Sequence, residues 1–97
     1  MPLKTREFDP ANYLKSDEAV SAYLNEALET GDAAFIADAI GVIARARGMA
    51  DVASKSGMSR ESLYRSLSAT GNPELATVVK VLAAMKLRLA AHPTEAA

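Results

Sequence analysis

The sequence contains no cysteine, a single histidine, and only 5% aromatic residues. Without cysteine, the chain has no disulfide framework, no thiolate nucleophile and no thiolate metal ligand. The one histidine, His92, lies beside Pro93 in the expected C-terminal tail, so none of the eight serines has a histidine partner in the core to activate it. A glycine-rich phosphate loop and a spacing typical of metal ligands are also missing. We therefore expect a protein that is not an enzyme and that holds no cofactor or metal.

Long apolar runs are missing as well. No stretch approaches the roughly 18 apolar residues of a membrane span, and the first 20 residues carry charges throughout, unlike a signal peptide. The 97 residues are enough for one small domain and too few for two ordinary cores. These features predict a single cytoplasmic domain that does not bind membranes.

Charge is divided unevenly along the chain, although the net charge is only −1. Residues 1–40 carry three bases and eight acids, a net charge of −5, whereas residues 41–97 carry eight bases and four acids, a net charge of +4. Positive charge in the second half suits contact with phosphates. Negative charge in the first half would repel DNA and suits a basic protein partner. The alternative is that this imbalance has arisen by chance, since the exposed face of a helix often carries charges of one sign.

Residues 49–67 have the pattern of a helix-turn-helix. Ala53 is the small packing residue, Gly57 is the turn glycine, and Leu63 and Leu67 are inward anchors four residues apart. A helix-turn-helix places its second helix in the major groove of DNA. This segment therefore predicts DNA binding, although the same shape also occurs in proteins that never touch DNA.

The second helix of this motif carries the residues that we expect to contact DNA. Arginine can clamp guanine or hold a phosphate, glutamate can accept from cytosine, and hydroxyl groups can reach phosphates or bases. The alternative is a solvated surface on which Glu61 and Arg65 form an ordinary i, i+4 ion pair. The predicted DNA-binding residues, including two basic residues that would brace the DNA backbone, are Ser59, Arg60, Glu61, Ser62, Tyr64, Arg65, Ser68, Lys55 and Arg47.

Apolar spacing and capping residues predict five helices with short connections, forming an orthogonal all-α bundle. Ser16, Asp32 and Ser59 are expected N-caps, and Asn72 is expected to cap a last helix that begins at Pro73. Phe35 is assigned to the inner face of the second helix. The inner face of the last helix is assigned to Leu75, Val78, Val79, Leu82 and Met85. Alternation over residues 86–90 fits a short strand, which would need a partner.

Five segments of the chain together resemble the addiction module antidote protein family, which is related to the HigA-type antitoxins. The resemblance covers nearly residues 5–90 and lies in Phe8-Asp9-Pro10-Ala11 with Tyr13-Leu14, in residues 43–49, in Gly57-Met58-Ser59-Arg60-Glu61-Ser62-Leu63-Tyr64, in Gly71-Asn72-Pro73, and in residues 79–82. One departure is Lys86, where such sequences often have a glycine.

This resemblance implies a Cro/C1-type, lambda repressor-like helix-turn-helix and the function of an antitoxin. Such a protein would neutralise a small basic toxin similar to the RelE/ParE superfamily and bind double-stranded operator DNA as a homodimer that represses its own operon. Residues 1–31 would form an arm and helix that contact the toxin through Phe8, Tyr13 and Tyr23. Residues 32–86 would form the DNA-binding core, and residues 87–97 a short strand and tail. The alternatives are a stand-alone phage-like repressor and a helical protein-interaction adaptor.

Overall fold

The computed structural model describes residues 14–94, and within this range it contains five helices and no strand. The helices are α1 (Asp17–Thr30), α2 (Ala33–Arg47), α3 (Met49–Ser56), α4 (Arg60–Ser66) and α5 (Leu75–Ala84). The predicted all-α bundle of five helices is therefore confirmed. None of these helices is long and apolar enough to cross a membrane.

Three of the helices begin at side-chain caps that the sequence predicted. The Ser16 hydroxyl accepts a hydrogen bond from the Ala19 N–H at 3.0 Å, and a carboxylate oxygen of Asp32 accepts from two N–H groups at the start of α2. The Ser59 hydroxyl accepts from the Ser62 N–H at 3.0 Å. Each cap satisfies donors that the first turn leaves unpaired, which fixes where the helix starts.

One core cluster takes buried side chains from all five helices. Helix α2 lies centrally, in contact with α1, α3 and α4, and α3 also contacts α4 and α5. The largest fully buried side chains are aliphatic: Ile40, Ile43, Leu63, Leu67, Leu82, Val20, Val52 and Val81. Alanines such as Ala39 and Ala44 fill the remaining buried positions, which lets the helices approach closely.

Helix α5 differs from the sequence prediction in its start and its buried face. It begins at Leu75 and not at Pro73, because the backbone of Glu74, its N-cap residue, is still extended (φ −68°, ψ 156°). No side chain caps this helix, so the cap predicted at Asn72 is wrong. Leu75 and Val79 were assigned to the inner face but are 69% and 51% exposed. Phe35, assigned to the inner face of α2, is 50% exposed. The buried side of α5 is rotated toward Val81, Leu82 and Met85.

The end of α5 is closed by a Schellman motif. The Leu87 N–H donates to the Leu82 carbonyl at 2.8 Å and the Lys86 N–H donates to the Ala83 carbonyl at 2.9 Å. Lys86 is left-handed (φ 62°), a conformation that usually falls to glycine at this position. The short strand predicted over residues 86–90 is wrong, because the structure assigns no strand to this segment and none elsewhere in residues 14–94 with which it could pair.

Replacing Lys86 with glycine should raise the free energy of unfolding by about 1 kcal/mol, because a side chain in the left-handed region costs about 1–2 kcal/mol and glycine recovers part of that. For a domain of this size the melting temperature should rise by roughly 4–8 °C. Thermal unfolding followed by circular dichroism measures the effect. Lys86→Ala is the matched control, since it removes the same charge but keeps the Cβ. Equal stability of the two variants would contradict this explanation.

Candidate nucleic-acid interface

Helices α3 and α4 are joined by a three-residue turn whose geometry depends on Gly57. This glycine is left-handed (φ 75°) and follows the last residue of α3, and the next N–H, of Met58, donates back to the Ala53 carbonyl at 3.1 Å. The chain then enters α4 through the Ser59 cap. The turn glycine, the buried Ala53 and the two short helices lie where the motif predicted them.

Helix α4 has one buried side and one polar, exposed side. Leu63 is 0% exposed and Leu67, which ends the helix, is 1% exposed, so these two residues anchor α4 to the core as predicted. The remaining positions of the helix face outward, with Ser62 and Ser66 only half-buried. The exposed side chains at its surface are Arg60, Glu61, Tyr64 and Arg65.

The arginines of α4 are not engaged by neighbouring acids. In residues 14–94 the ion pairs are Arg47–Asp17 and Lys55–Asp51, so Arg65 does not form the i, i+4 pair with Glu61 that the sequence allowed. Both guanidinium groups therefore retain their donors for a ligand. The Ser59 hydroxyl, which accepts from Ser62, still has its own proton to donate.

Lys55, Ser68 and Arg47 are predicted DNA-binding residues that lie outside α4, and their surroundings differ. Lys55, exposed at the end of α3, pairs with Asp51 at 3.2 Å, an exposed contact worth only about 0.3–0.5 kcal/mol. Ser68 donates to the Arg65 carbonyl at 3.2 Å and thereby holds the chain after α4.

Arg47 lines the same surface pocket as Lys55, but its guanidinium is engaged by an acid of another helix. Its Nη2 donates to the Asp17 carboxylate at 2.8 Å, which ties the end of α2 to the start of α1, and its Nε is buried without a hydrogen-bond partner among residues 14–94. The guanidinium therefore acts between helices in this structure. A contact with the DNA backbone, which stays a prediction for Arg47, would have to compete with that ion pair.

Two glycines, whose close contacts with the C-terminal end of α4 were not predicted, limit where that end can lie. A Cβ on Gly41, in the middle of α2, would overlap the backbone carbonyl oxygen of Leu67. A Cβ on Gly71 would overlap the carbonyl oxygens of Ser66 and Arg65. The available signal for Gly41 was a glycine inside a helical pattern, which usually marks a close approach of another element.

Helix α1 presents a row of carboxylates to solvent. Glu18, Glu26 and Glu29 are exposed and recur at spacings of eight and three residues, which places them along one face of the helix. Asp17 is engaged by Arg47. Three of the eight acids of residues 1–40 thus lie on an exposed surface of α1.

Of the three residues predicted to contact a toxin, Tyr23 is the one within the described range; Phe8 and Tyr13 lie outside residues 14–94. Tyr23 is half-buried on α1 and packs against the core. Burial raises the pKa of its hydroxyl above the usual value, and Asp38 on α2 raises it further, while Arg45 opposes the shift. The phenol therefore stays protonated and can donate a hydrogen bond at neutral pH.

Helix α1 also borders a groove of about 740 Å³, whose other wall is the C-terminal segment. The lining residues are Asn25, Leu28, Glu29, Ala90, His92, Pro93 and Thr94.

Within residues 14–94, no group of three or more histidine and carboxylate side chains is arranged to hold a metal ion.

Comparison with known proteins agrees with the sequence resemblance. A family model described as "Probable addiction module antidote protein" matches residues 4–93. An uncharacterized protein of Haemophilus influenzae (strain Rd) is 47% identical over 88 residues, covering 91% of each chain. No solved structure matches the chain significantly. Because the family model spans nearly the whole sequence, the chain belongs to the family of probable addiction module antidote proteins.

Proposed function

We propose that this protein is an antitoxin that neutralises a small basic toxin similar to the RelE/ParE superfamily, and that it also represses its own operon by binding operator DNA as a homodimer. Family membership supports a toxin as partner. The observation that carries the DNA-binding half of the proposal is the short capped helix α4. Its exposed face carries two arginines that form no ion pair with residues 14–94, and its other face carries two buried leucines.

The role of α4 rests on the chemistry of its exposed side chains. Arg60 is the first residue of α4. In a recognition helix, the N-terminal residues are the ones that contact base edges. Arginine bonds bidentately to guanine, and each such pair is worth about 1–3 kcal/mol of discrimination against the wrong base. Arg65 and Lys55 supply positive charge for phosphates on either side of Arg60. Two copies would bind half-sites about 10 base pairs apart.

The role of α1 in toxin binding rests on its charge. The exposed face with Glu18, Glu26 and Glu29 is unsuited to DNA, because like charges repel. It is suited to a basic protein, because complementary potentials speed association and select the partner. Tyr23 offers a hydrogen-bond donor nearby on the same helix.

The DNA-binding half is tested by a mobility-shift assay on the DNA upstream of the gene, with a generic duplex for comparison. We expect the upstream DNA to bind more tightly than the generic duplex, and both affinities to fall steeply as the salt concentration rises, because phosphate contacts release counterions. Sedimentation of the complex gives the number of copies bound. Absence of binding to either duplex at low salt would remove the DNA-binding role and favour a protein-interaction adaptor.

The antitoxin half is tested by co-expressing the chain with the small basic gene product encoded beside it. We expect growth to be restored and the two proteins to co-purify. A locus without such a gene, together with intact operator binding, would instead indicate a stand-alone repressor. Failure of both growth rescue and co-purification would overturn the antitoxin half alone.

A further inference from the structure

Helix α5 carries an apolar strip that faces solvent. Leu75 and Val79, four residues apart on one face of the helix, are 69% and 51% exposed. Ala83, four residues further along the same face, and Ala76, beside Leu75, are exposed as well. Single apolar side chains are ordinary on a protein surface, whereas a contiguous apolar patch is a feature of interaction sites. We refer to these four residues as the α5 strip.

The apolar surface continues from the α5 strip onto the start of α2. A groove of about 160 Å³ lies between the two helices, lined among others by Val78 of α5, Ile36 of α2 and Pro73 of the preceding loop, and none of the described residues that line it is charged. The one charged residue within α5 is Lys80, which projects about 100° round the helix from Val79. The strip and the groove therefore form one surface without charge.

This surface lies close to the helix that we propose reads DNA. Gly71 packs directly against the end of α4, since a Cβ there would overlap the carbonyl oxygens of Arg65 and Ser66. Leu75 is four residues further on, so its Cα lies within about 15 Å of that of Gly71. A contact made here between two copies of the chain would bring their α4 helices near each other, as adjacent half-sites require.

The order of side chains in the α5 strip suits a second copy of the same helix. In a two-fold contact the same patch lies on both partners. Antiparallel pairing about Val79 places this residue against the partner's Val79, and Leu75 against the partner's Ala83. A large side chain then meets a small one at each end, as helix packing requires. The acidic face of α1 and the arginines of α4 would instead meet like charges in a two-fold contact.

The charges at the ends of α5 favour the same arrangement. Glu74 precedes the helix and Lys86 follows it, and both are exposed. Antiparallel pairing brings the acidic end of one copy beside the basic end of the other, and it also places opposite ends of the two helix dipoles side by side. Parallel pairing would place like ends together. A basic toxin, in contrast, would find no acidic side chain within the α5 strip.

We propose that the α5 strip is the surface through which two copies of this chain form a homodimer, with the two α5 helices antiparallel and meeting at Val79. The inference rests on the homodimer of the proposed function and specifies its interface. One ten-residue helix with its groove offers less than the roughly 800 Å² that each partner buries in a standard interface. We therefore expect a weak dimer that dissociates on dilution in the micromolar range and that operator DNA stabilises.

Opposite charges introduced at Val79 test this contact. Val79→Glu and Val79→Lys should each weaken self-association about tenfold or more, because like charges then meet at the two-fold axis. An equimolar mixture of the two variants should recover most of the association, since the introduced carboxylate then faces the introduced ammonium group. Sedimentation equilibrium measures the dissociation constants, and circular dichroism establishes that each variant is folded.

Phe35→Glu is the matched control. Phe35 is as exposed as Val79, at 50%, but it lies outside the α5 strip and does not line the groove. Its replacement should leave self-association unchanged. Self-association that neither Val79 variant weakens, or that Phe35→Glu weakens equally, would overturn the α5 strip as the interface. A mixture that associates no better than the single variants would overturn the antiparallel pairing about Val79.

The remaining outcomes separate this inference from the proposed function. An unmodified chain that stays monomeric at millimolar concentration would overturn the dimer itself. Loss of co-purification with the basic product of the neighbouring gene in Val79→Glu, with self-association unchanged, would assign the strip to the toxin and overturn the proposal. A dimer that responds to the Val79 variants as expected, but binds neither operator nor generic duplex, would remove the DNA-binding role and leave the interface standing.

Discussion

Gly41→Ala should destabilise the protein by about 1–3 kcal/mol, although alanine is the better helix former. Helix propensity alone predicts a gain of about 1 kcal/mol for this substitution in the middle of a helix. The added methyl group, however, would overlap the Leu67 carbonyl oxygen, which is backbone and cannot rotate away. Overpacking in a close-fitting core typically costs about 1–3 kcal/mol, so the sign of the change is the test.

Urea unfolding followed by circular dichroism measures the effect of Gly41→Ala. The matched control is Ala22→Gly, at an exposed position in the middle of α1, which reports the ordinary alanine–glycine difference of about 1 kcal/mol without any packing change. Because the clash pushes on the end of α4, operator affinity should also fall in the folded variant. A more stable Gly41→Ala protein would mean that α2 and α4 are not held at this distance in solution.

Replacing Arg60 and Arg65 together with alanine should weaken operator binding by about 30-fold or more, because each arginine is expected to supply about 1–3 kcal/mol to base or phosphate recognition. Both side chains are exposed and neither forms an ion pair in residues 14–94, so the fold should tolerate their removal. The loss should be larger for the operator than for a generic duplex if at least one of the two reads bases. Mobility-shift assays at fixed salt concentration measure both affinities.

The matched control is the double variant Lys80→Ala, Arg88→Ala, which removes the same charge from exposed positions outside α4. It should lower operator and generic affinity by a similar small factor, as a general electrostatic effect does. If the two double variants weaken operator binding equally, α4 does not read the sequence of the operator.

Local sequence signals predicted much of this structure. The caps at Ser16, Asp32 and Ser59 and the left-handed turn at Gly57 depend on contacts within three to five residues, so their chemistry is visible in the chain itself. The buried pair Leu63 and Leu67 follows from the helical period in the same way. These features were enough to predict α3, α4 and the exposure of the two arginines on α4.

Features that depend on distant parts of the chain were not predicted. Arg47 pairs with Asp17, thirty residues away, and Gly41 meets the backbone of Leu67, so neither role can be derived from periodicity. Leu75 and Val79 fit the apolar stripe of α5 but remain exposed, because the orientation of a helix is decided by the elements that it packs against. Alternation predicted a strand after α5, whereas a strand requires a partner that a local pattern does not supply.

The shared core has a consequence for the stoichiometry of a complex on DNA. Val20 and Leu24 of α1 are buried in the same cluster as Leu63 of α4, so these two helices are parts of one packed body. A toxin held on α1 would then be carried at a fixed distance and angle from the operator, and two neighbouring copies of the antitoxin would fix the separation of two toxins. The ratio of toxin to antitoxin on the operator would therefore be set by whether two toxins fit side by side, and the mass of the ternary complex would give that ratio.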